Sequence, residues 1–313
     1  MNDATDSSIP RIGPLIAAGL LLFAALFSMC GQCTFDRTPD DEDWERAAEA
    51  VLEIVEPTDA IRVHPAWSEA PLPHLQQVGN LLHRPSRPIV EDFVYIDRVL
   101  VLSYARRSDE ALELLPFDTS GAESRDFDSV TLHIVDVPES MRISRDARDF
   151  MDDAEVSYKS PDGPDEPCRR RGDEWHCDGG DQNAMVRPVL RDMDQDPRRC
   201  IQAHPPSGNR HLSIEFTVDE PHDVLRLRAG LDRRAARLQR GGDVAYRIQA
   251  NGVLVAETHR DAHTSTWTAY DIPATDTGGA PVELRIDVRS IAPEPHHRRF
   301  CFNVWALSAE QAE

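Results

Sequence analysis

The stretch CIQAHPPSGNRHLSIEF, residues 200–216, gathers side chains that could do chemistry. Cys200 could act as a nucleophile or a disulfide partner, and His204 and His211 could act as general bases. A second histidine pair, His296 and His297, stands near the end of the chain. Neither cluster comes with a serine elbow, a carboxylate pair with defined partners or a His-x-x-x-His metal spacing. These histidines are therefore interpreted as loop residues, and a hydrolase is the least favoured function.

Two other motifs could hold a metal ion. CRRRGDEWHC, from Cys168 to Cys177, lacks four ligands at zinc spacing, so a disulfide is favoured there. DMDQDP, residues 192–197, places Asp192, Asp194 and Asp196 at alternate positions, as calcium loops do. Pro197 stands where a helix-loop-helix calcium site needs glycine, so that site is rejected. A structural calcium site at the three aspartates and a solvated acidic turn both remain open.

The first forty residues indicate where the chain resides. Residues 13–30 are apolar and uncharged, just long enough to cross a bilayer, and predict a transmembrane anchor. Phe27 and Met29 stand where a cleaved signal peptide needs small residues, which disfavours that alternative. Arg11 precedes the span and acidic residues follow it. Residues 1–12 are expected in the cytoplasm, the anchor in the inner membrane and the rest in the periplasm. Four cysteines in the exported part suit an oxidising compartment.

The charge of the chain excludes a nucleic-acid partner. Its 313 residues include 55 Asp and Glu against 34 Lys and Arg, for a formal net charge of −21. A phosphate-binding surface needs clustered basic residues, and this composition opposes one. No cofactor other than structural calcium is predicted.

Residues 38–138 predict a small α/β module. In DWERAAEAVLEIVEPTD an apolar stripe recurs with helical period and ends before Pro57. AIRVHP, DRVLVLSY and DSVTLHIVDV are apolar strand segments separated by helical ones. This alternation predicts a two-layer or three-layer α/β module with a largely parallel sheet.

The segments DWERAAEAVLEIVEPTDAIRVHPAW, DRVLVLSY and FDSVTLHIVDV, within residues 43–137, carry a resemblance. They resemble, in order, the extracytoplasmic portion of bacterial dolichyl-phosphate-mannose-type glycosyltransferases, which use polyprenyl-phosphate sugars. Such enzymes transfer sugar within a multi-helix membrane body, whereas this sequence predicts one span. The resemblance therefore implies an auxiliary module, with a polytopic glycosyltransferase as a candidate partner, and no transferase activity.

Residues 139–199 are charged, rich in Gly and Pro and nearly free of aliphatic runs, which predicts a linker or long loop. From 200 to 309 the pattern changes to alternating strands bounded by turn residues, which predicts a β-sandwich. Within it, Asn251-Gly252 predicts a two-residue hairpin turn. The ANG hairpin, TSTWTAYDIP and the last strand with Trp305 resemble galactose-binding-like jelly rolls of carbohydrate-binding modules. The whole fold is thus expected to be multidomain, α/β plus all-β.

The jelly-roll resemblance implies two features. Terminal strands of such folds run side by side, which favours a Cys200–Cys301 disulfide and leaves Cys168–Cys177 as the second. A sugar site needs an aromatic face and polar groups. Trp267 and Tyr270, with Arg298 and Arg299, are the candidate ligand-binding residues.

The resulting expectation is a non-catalytic, membrane-anchored extracytoplasmic protein with a carbohydrate-binding-like jelly roll, acting in envelope glycan metabolism or glycosyltransferase assembly. An interaction subunit that docks on a polytopic glycosyltransferase without binding sugar is the alternative.

Overall fold

The computed structural model describes residues 39–161, 163–177, 185–193, 196–206, 209–237, 243–260, 267–291 and 299–312. In that part of the chain, no helix combines the length and apolar character that a membrane crossing requires. The predicted anchor, 13–30, and the N-terminal segment before it lie outside the described residues.

The N-terminal module begins with helix α1 (Asp41–Ile54). The Asp40 carboxylate accepts a hydrogen bond from the backbone N–H of Asp43 at 3.0 Å, which caps the first turn. Three acidic residues in that turn also favour the positive end of the helix dipole. The apolar stripe predicted from the sequence is buried through Trp44, Ala47, Ala48 and Val51.

The module contains a four-stranded sheet in the order β1-β2-β4-β3. Its strands are β1 (Asp59–His64), β2 (Arg98–Tyr104), β3 (Glu123–Phe127) and β4 (Val130–Asp136). Only β1 and β2 pair in parallel; β4 pairs antiparallel with both β2 and β3. The prediction of a largely parallel sheet is therefore wrong. Strand β3 is polar and mostly exposed, so it gave no apolar signal, and its two-residue connection to β4 enforces antiparallel pairing.

Strand β2 divides the module into three layers because its side chains alternate between two faces. Leu100, Leu102 and Tyr104 pack with the buried stripe of α1. Val99 and Val101 point to the other face, where they pack with Ala111 of helix α2 (Ser108–Glu113).

The remainder of the chain forms a β-sandwich, as the sequence predicts for its C-terminal part. The strands are β5 (Glu155–Lys159), β6 (Glu166–Pro167), β7 (Arg169–Arg171), β8 (Glu174–His176), β9 (Met185–Met193), β10 (Asp196–Ala203), β11 (His211–Val218), β12 (Val224–Leu231), β13 (Val244–Ala250), β14 (Val253–Arg260), β15 (Thr268–Pro273), β16 (Val282–Ser290) and β17 (Phe300–Leu307). Four short helices accompany them: α3 (Ala147–Phe150), α4 (Arg233–Arg237), α5 (Ala274–Thr277) and α6 (Ala309–Ala312).

The two sheets of the sandwich have the orders β15-β12-β17-β10-β9-β8-β7 and β14-β13-β16-β11-β5-β6. Their inner faces share one apolar core. In β11, Leu212, Ile214 and Phe216 point into it, as their alternation predicts. Asn251 and Gly252 have φ of 48° and 76°, so the predicted hairpin turn with two positive φ angles is confirmed.

The prediction of a linker over residues 139–199 is wrong for much of that segment. Strand β5 pairs with β11, and β9 pairs with β10 along its length. A strand needs apolar residues only at alternate positions, so Val156 and Tyr158 suffice to bury one face of β5. The charged residues of β5, Glu155 and Lys159, occupy the other positions of that strand.

The structure contains the disulfides Cys168–Cys177 and Cys200–Cys301, the pairing favoured from the sequence. Gln202 of β10 lies opposite Cys301 of β17, so the two terminal strands do run side by side. Cys200 and Cys301 lie with Met193 in a small buried cluster separate from the core between the sheets.

These contacts predict which fragment folds independently. We expect residues 139–313 to unfold cooperatively and residues 200–309 to be unfolded or aggregated. In the shorter fragment β11 loses its pairing with β5, and β10 loses its pairing with β9 and its own first residues. Thermal unfolding followed by circular dichroism compares the two fragments. A cooperative transition in the shorter fragment would show that strands β5 to β9 are dispensable.

Candidate ligand-binding cleft

A cavity of about 680 Å³ lies between the N-terminal module and the outer face of the seven-stranded sheet. The module supplies one wall, from the segment before and after β1 and from residues 79–96. The sandwich supplies the other wall from β9, β10, β17 and the residue preceding β15. Cavities of 300–1,000 Å³ are typical of small-molecule sites.

Three aromatic side chains line this cleft: Tyr95, Trp267 and Trp305. Tyr95 is 44% exposed, and Trp267 is partly buried. Trp305 is 3% exposed and packs with Val94 of the module and with Ile143. The cleft therefore offers aromatic surface from both walls.

Tyr95 has an unusual backbone conformation. Its φ of 63° is in the left-handed region, which costs a non-glycine residue about 1–2 kcal/mol. Its backbone N–H donates to the carbonyl of Ile143 at 3.0 Å, and its hydroxyl donates to the Asp149 carboxylate. Burial and this carboxylate raise the pKa of Tyr95, so the phenol stays neutral. Both contacts hold the strained residue at the cleft.

Trp267 is positioned by the Cys200–Cys301 disulfide. It packs against the cluster formed by the two cysteines and Met193 and also against that of Trp305. Cys200, which could have been a nucleophile, is thus a buried disulfide cysteine that packs beneath an aromatic side chain of the cleft.

Two buried carboxylates join the module to the sheet. Glu91, whose side chain is 2% exposed, accepts hydrogen bonds from Arg228 at 2.9 Å and Arg226 at 3.3 Å. Asp92 accepts a hydrogen bond from Arg198 of β10. Burial raises the pKa of Asp92, and the positive charge of Arg198 acts in the opposite direction.

Further hydrogen bonds complete this junction. Arg198 donates to the carbonyl of Arg87 at 2.9 Å. The backbone N–H and the hydroxyl of Ser86 each donate to Asp196 Oδ1 at 2.7 Å. The module is consequently held on the sheet by directional charged contacts as well as by the apolar contacts of Trp305.

A second set of polar residues, Asp146, Arg148 and Asn303, lines the cleft at the sandwich wall. Asp146 accepts hydrogen bonds from Arg148 Nε at 2.8 Å and from Asn303 Nδ2 at 3.3 Å. Burial opposes the charge of Arg148, but the hydrogen bond to Asp146 and the negative charges of Asp146 and Asp149 together outweigh it and raise the pKa of Arg148. The guanidinium also lies over the ring of Tyr95, 5.9 Å from its centroid.

The buried Arg62 is paired with His83, a half-buried residue that lines the cleft. Arg62 Nη1 lies 2.9 Å from His83 Nδ1 and 3.1 Å from the carbonyl of Pro85. Arginine can only donate, so Nδ1 accepts and the neutral imidazole carries its proton on Nε2. Burial and the nearby charge of Arg62 hold the pKa of His83 well below its ordinary value. Burial lowers the pKa of Arg62 to about 10.

The structure separates the three predicted ligand-binding residues that it describes. Trp267 lines the cleft. Tyr270 instead packs against the sandwich core, and its hydroxyl lies 2.7 Å from that of Tyr246. Arg299 lies 3.9 Å from Asp232, and Arg298 is outside the described residues. The alternation of a strand places residues 267 and 270 on opposite faces, so Tyr270 cannot join Trp267 in one site.

The predicted calcium site is not formed by the aspartates that the structure describes. Asp192 lies opposite Pro197, and Asp196 lies opposite Met193, so the two carboxylates point to opposite faces of the β9–β10 hairpin. The Asp196 carboxylate already accepts a hydrogen bond from Ser86 and forms an ion pair with Arg198. Asp194 is outside the described residues, and across the described ranges no three His, Cys, Asp or Glu side chains converge on a metal position.

The histidines of the opening motif take structural positions. His204 is 8% exposed, and its backbone N–H donates to the carbonyl of Met185 at 3.1 Å. His211 lies 3.8 Å from Asp287, and burial lowers the pKa of its imidazole. Cys200 is consumed by its disulfide, so no thiol is available to either ring. His296 and His297 are outside the described residues.

Sequence reasoning missed Tyr95, Glu91, Asp92 and Arg198. These residues lie in short segments with no motif, and their relevance comes from contacts between the two parts of the chain. A pair of adjacent acidic residues in an otherwise apolar segment, IVEDFVYI, was the one available signal.

No family model and no curated protein matches the chain. Solved structures of carbohydrate-binding modules are similar to part of it. The CBM51 of Clostridium perfringens GH95, in complex with methyl-galactose, has 11% identity and a TM-score of 0.27, covering 48% of this chain and 79% of its own. The CBM51-2 and INT domains of Clostridium perfringens ZmpB have 15% identity and a TM-score of 0.30, covering 59% and 35%.

A family 35 carbohydrate-binding module from Clostridium thermocellum has 15% identity and a TM-score of 0.23, covering 39% of this chain and 86% of its own. This chain thus spans about a third of the matched ZmpB structure. No ligand or site is transferred at such scores. The resemblance of residues 43–137 to glycosyltransferases is not shown by these comparisons and stays a prediction.

The contacts of Glu91 predict a large effect of its neutralisation. In Glu91→Gln, the largely buried Arg228 loses its carboxylate, whereas Arg226 keeps Asp271 at 2.8 Å. Breaking one partner of a buried ion pair costs about 3–5 kcal/mol, so we expect unfolding free energy to fall by about 3 kcal/mol. Urea denaturation measures it. Glu123→Gln, in an exposed pair with Arg125, is the control and should change little. Equal effects in both variants would contradict the role assigned to Glu91.

The lowered pKa of His83 predicts acid sensitivity. Below about pH 6.5 the unfolded chain takes up a proton at this residue that the folded chain does not. The free energy of unfolding therefore decreases as the pH is lowered, until the pKa of the folded state is reached. His83→Asn keeps an acceptor for Arg62 but cannot titrate. We expect its stability to fall less steeply on acidification, by up to about 1.4 kcal/mol per pH unit.

Urea denaturation between pH 8 and pH 5 measures these slopes in both proteins. At pH 8 the histidine is neutral in both states, so that measurement isolates any packing cost of the substitution. Parallel slopes for His83→Asn and the unmodified chain would be inconsistent with a neutral His83 in the folded chain.

Proposed function

We propose that the cleft between the module and the sandwich binds a sugar residue of a glycan. The observation that carries this proposal is the placement of Trp267, Tyr95 and Trp305 around one cavity that also holds polar side chains. A pyranose has an apolar face that stacks on an aromatic ring and a rim of hydroxyls that exchange hydrogen bonds. The cavity of about 680 Å³ has room for a sugar and its neighbours in a chain.

The cleft is prepared for a ligand before one arrives. Tyr95 is tied to Ile143 and Asp149, and Trp267 rests on the Cys200–Cys301 cluster. Fixed aromatic side chains lose little conformational entropy on binding, which favours affinity. The acidic groups at the walls already have arginine partners, an arrangement suited to holding shape.

We propose a non-catalytic role, with the chain anchored by residues 13–30 and its bulk outside the cytoplasm. Two disulfides fit an oxidising compartment. Activity in envelope glycan metabolism and attachment to a polytopic glycosyltransferase remain part of this proposal on the strength of the sequence resemblance.

Removal of the aromatic surface tests the proposal. We expect the full chain to be retained on a glycan array and Trp267→Ala to weaken binding of the retained glycan about tenfold or more, since one lost stacking contact is worth about 0.5–1.5 kcal/mol beyond the buried area. Trp267→Phe keeps an aromatic face and should retain part of the affinity. Isothermal titration calorimetry measures each constant.

Trp67→Ala is the matched control, because Trp67 is 71% exposed and does not line the cleft. Thermal unfolding of each variant separates loss of a binding contact from loss of fold. Binding that survives Trp267→Ala and is lost in Trp67→Ala would move the site elsewhere and refute the cleft.

A further inference from the structure

Three buried nitrogens at the cleft lack a hydrogen-bond acceptor within the described residues: Trp305 Nε1, Arg198 Nε and Arg148 Nη2. All three residues line the cleft, and Trp305 and Arg198 are 3% and 7% exposed. An indole or guanidinium nitrogen can donate but not accept. These atoms are closed off from solvent, so they do not themselves contact a ligand in the cavity.

Each carboxylate that lines the cleft accepts hydrogen bonds from neighbouring donors. Asp59 accepts hydrogen bonds from Arg98 at 2.7 and 2.9 Å. Glu91 and Asp92 bind the arginines of the sheet, and Asp146 binds Arg148 and Asn303. The carboxylates at the walls therefore all have arginine partners.

Two cations of the cleft, by contrast, lack a carboxylate partner. Arg84 and Arg199 line the cavity and are exposed, and neither lies within ion-pair distance of a carboxylate among the residues that the structure describes. Partial burial of its guanidinium and the like charge of Arg148 lower the pKa of Arg199, while the charge of Asp146 acts in the opposite direction. A charged guanidinium held beside another one is stabilised by an incoming anion.

These two arginines differ from the surface of the chain as a whole. A protein with a formal net charge of −21 repels anions over most of its surface. Arg84 and Arg199 instead offer an anion two exposed guanidinium groups in an aromatic cleft. Guanidinium groups recognise carboxylate and phosphate through parallel N–H donors.

We propose that the cleft selects a saccharide carrying an anionic group, a carboxylate, phosphate or sulfate, with Arg84 and Arg199 as its charge partners. This inference rests on the proposed glycan binding of the same cleft. The aromatic side chains contact the sugar ring, and the arginines contact its anionic substituent.

The test compares matched sugars that differ in one group. Oligosaccharides of galactose and glucose are titrated against their uronic acid, 6-phosphate and 6-sulfate counterparts, with the full chain and isothermal titration calorimetry. We expect at least one anionic series to bind about tenfold or more tightly than its neutral counterpart, and this preference to shrink with added salt. The series that binds identifies which anion is recognised.

Two variants assign the preference to residues. Arg199→Gln and Arg84→Gln should each weaken the anionic saccharide about tenfold and leave the affinity for the neutral one near its original value. Arg125→Gln is the control, since Arg125 lies on the exposed strand β3. An unchanged unfolding temperature in each variant excludes a loss of fold.

The outcomes separate this inference from the proposed function. Equal affinities for neutral and anionic sugars, both lost in Trp267→Ala, would overturn the anion preference and leave glycan binding intact. Absence of saccharide binding, or binding that ignores Trp267→Ala, would refute the proposed function and this inference together. Capture of an oligoglutamate peptide without any saccharide would show that the arginines serve a protein ligand, and would equally overturn the inference.

Discussion

Glu91 and Asp92 are the constraint on which the arrangement of the two parts depends. A carboxylate taken out of water costs several kcal/mol unless cations and donors surround it. Glu91 finds Arg226 and Arg228, and Asp92 finds Arg198, all on the outer face of the seven-stranded sheet. Because these partners lie on different strands, the module has few orientations in which both carboxylates are satisfied. The ion pairs thereby set the distance between the walls of the cleft.

The cleft follows from this docking rather than from either part alone. Trp305 lies near the end of the terminal strand, where it packs with Val94 of the module and with Ile143 of the segment that joins the module to the sandwich. Tyr95 follows Val94 directly, so the apolar contact also carries the strained tyrosine to the edge of the cavity. The site is a property of the interface, which makes the stability of the junction a condition for binding.

Local patterns alone determined helix α1, strand β11 with its inward-facing Leu212, Ile214 and Phe216, and the Asn251-Gly252 turn, because helical period, alternation and positive φ are properties of neighbouring residues. The apolar run over residues 13–30 is also a local pattern, and the anchor that it predicts lies outside the described residues. Two strands with few apolar residues were missed: β3 because it is polar and mostly exposed, and β5 because its partner β11 lies far along the chain.

Only the tertiary structure decided which residues share a site. It placed Trp267 in the cleft and Tyr270 in the core, since strand alternation sends them to opposite faces. It divided Asp192 from Asp196 for the same reason and brought Glu91 to Arg228 across a long stretch of chain. Composition and spacing describe what each segment can form, but the partners of a buried charge are chosen by packing between distant segments, and here that packing forms the cleft.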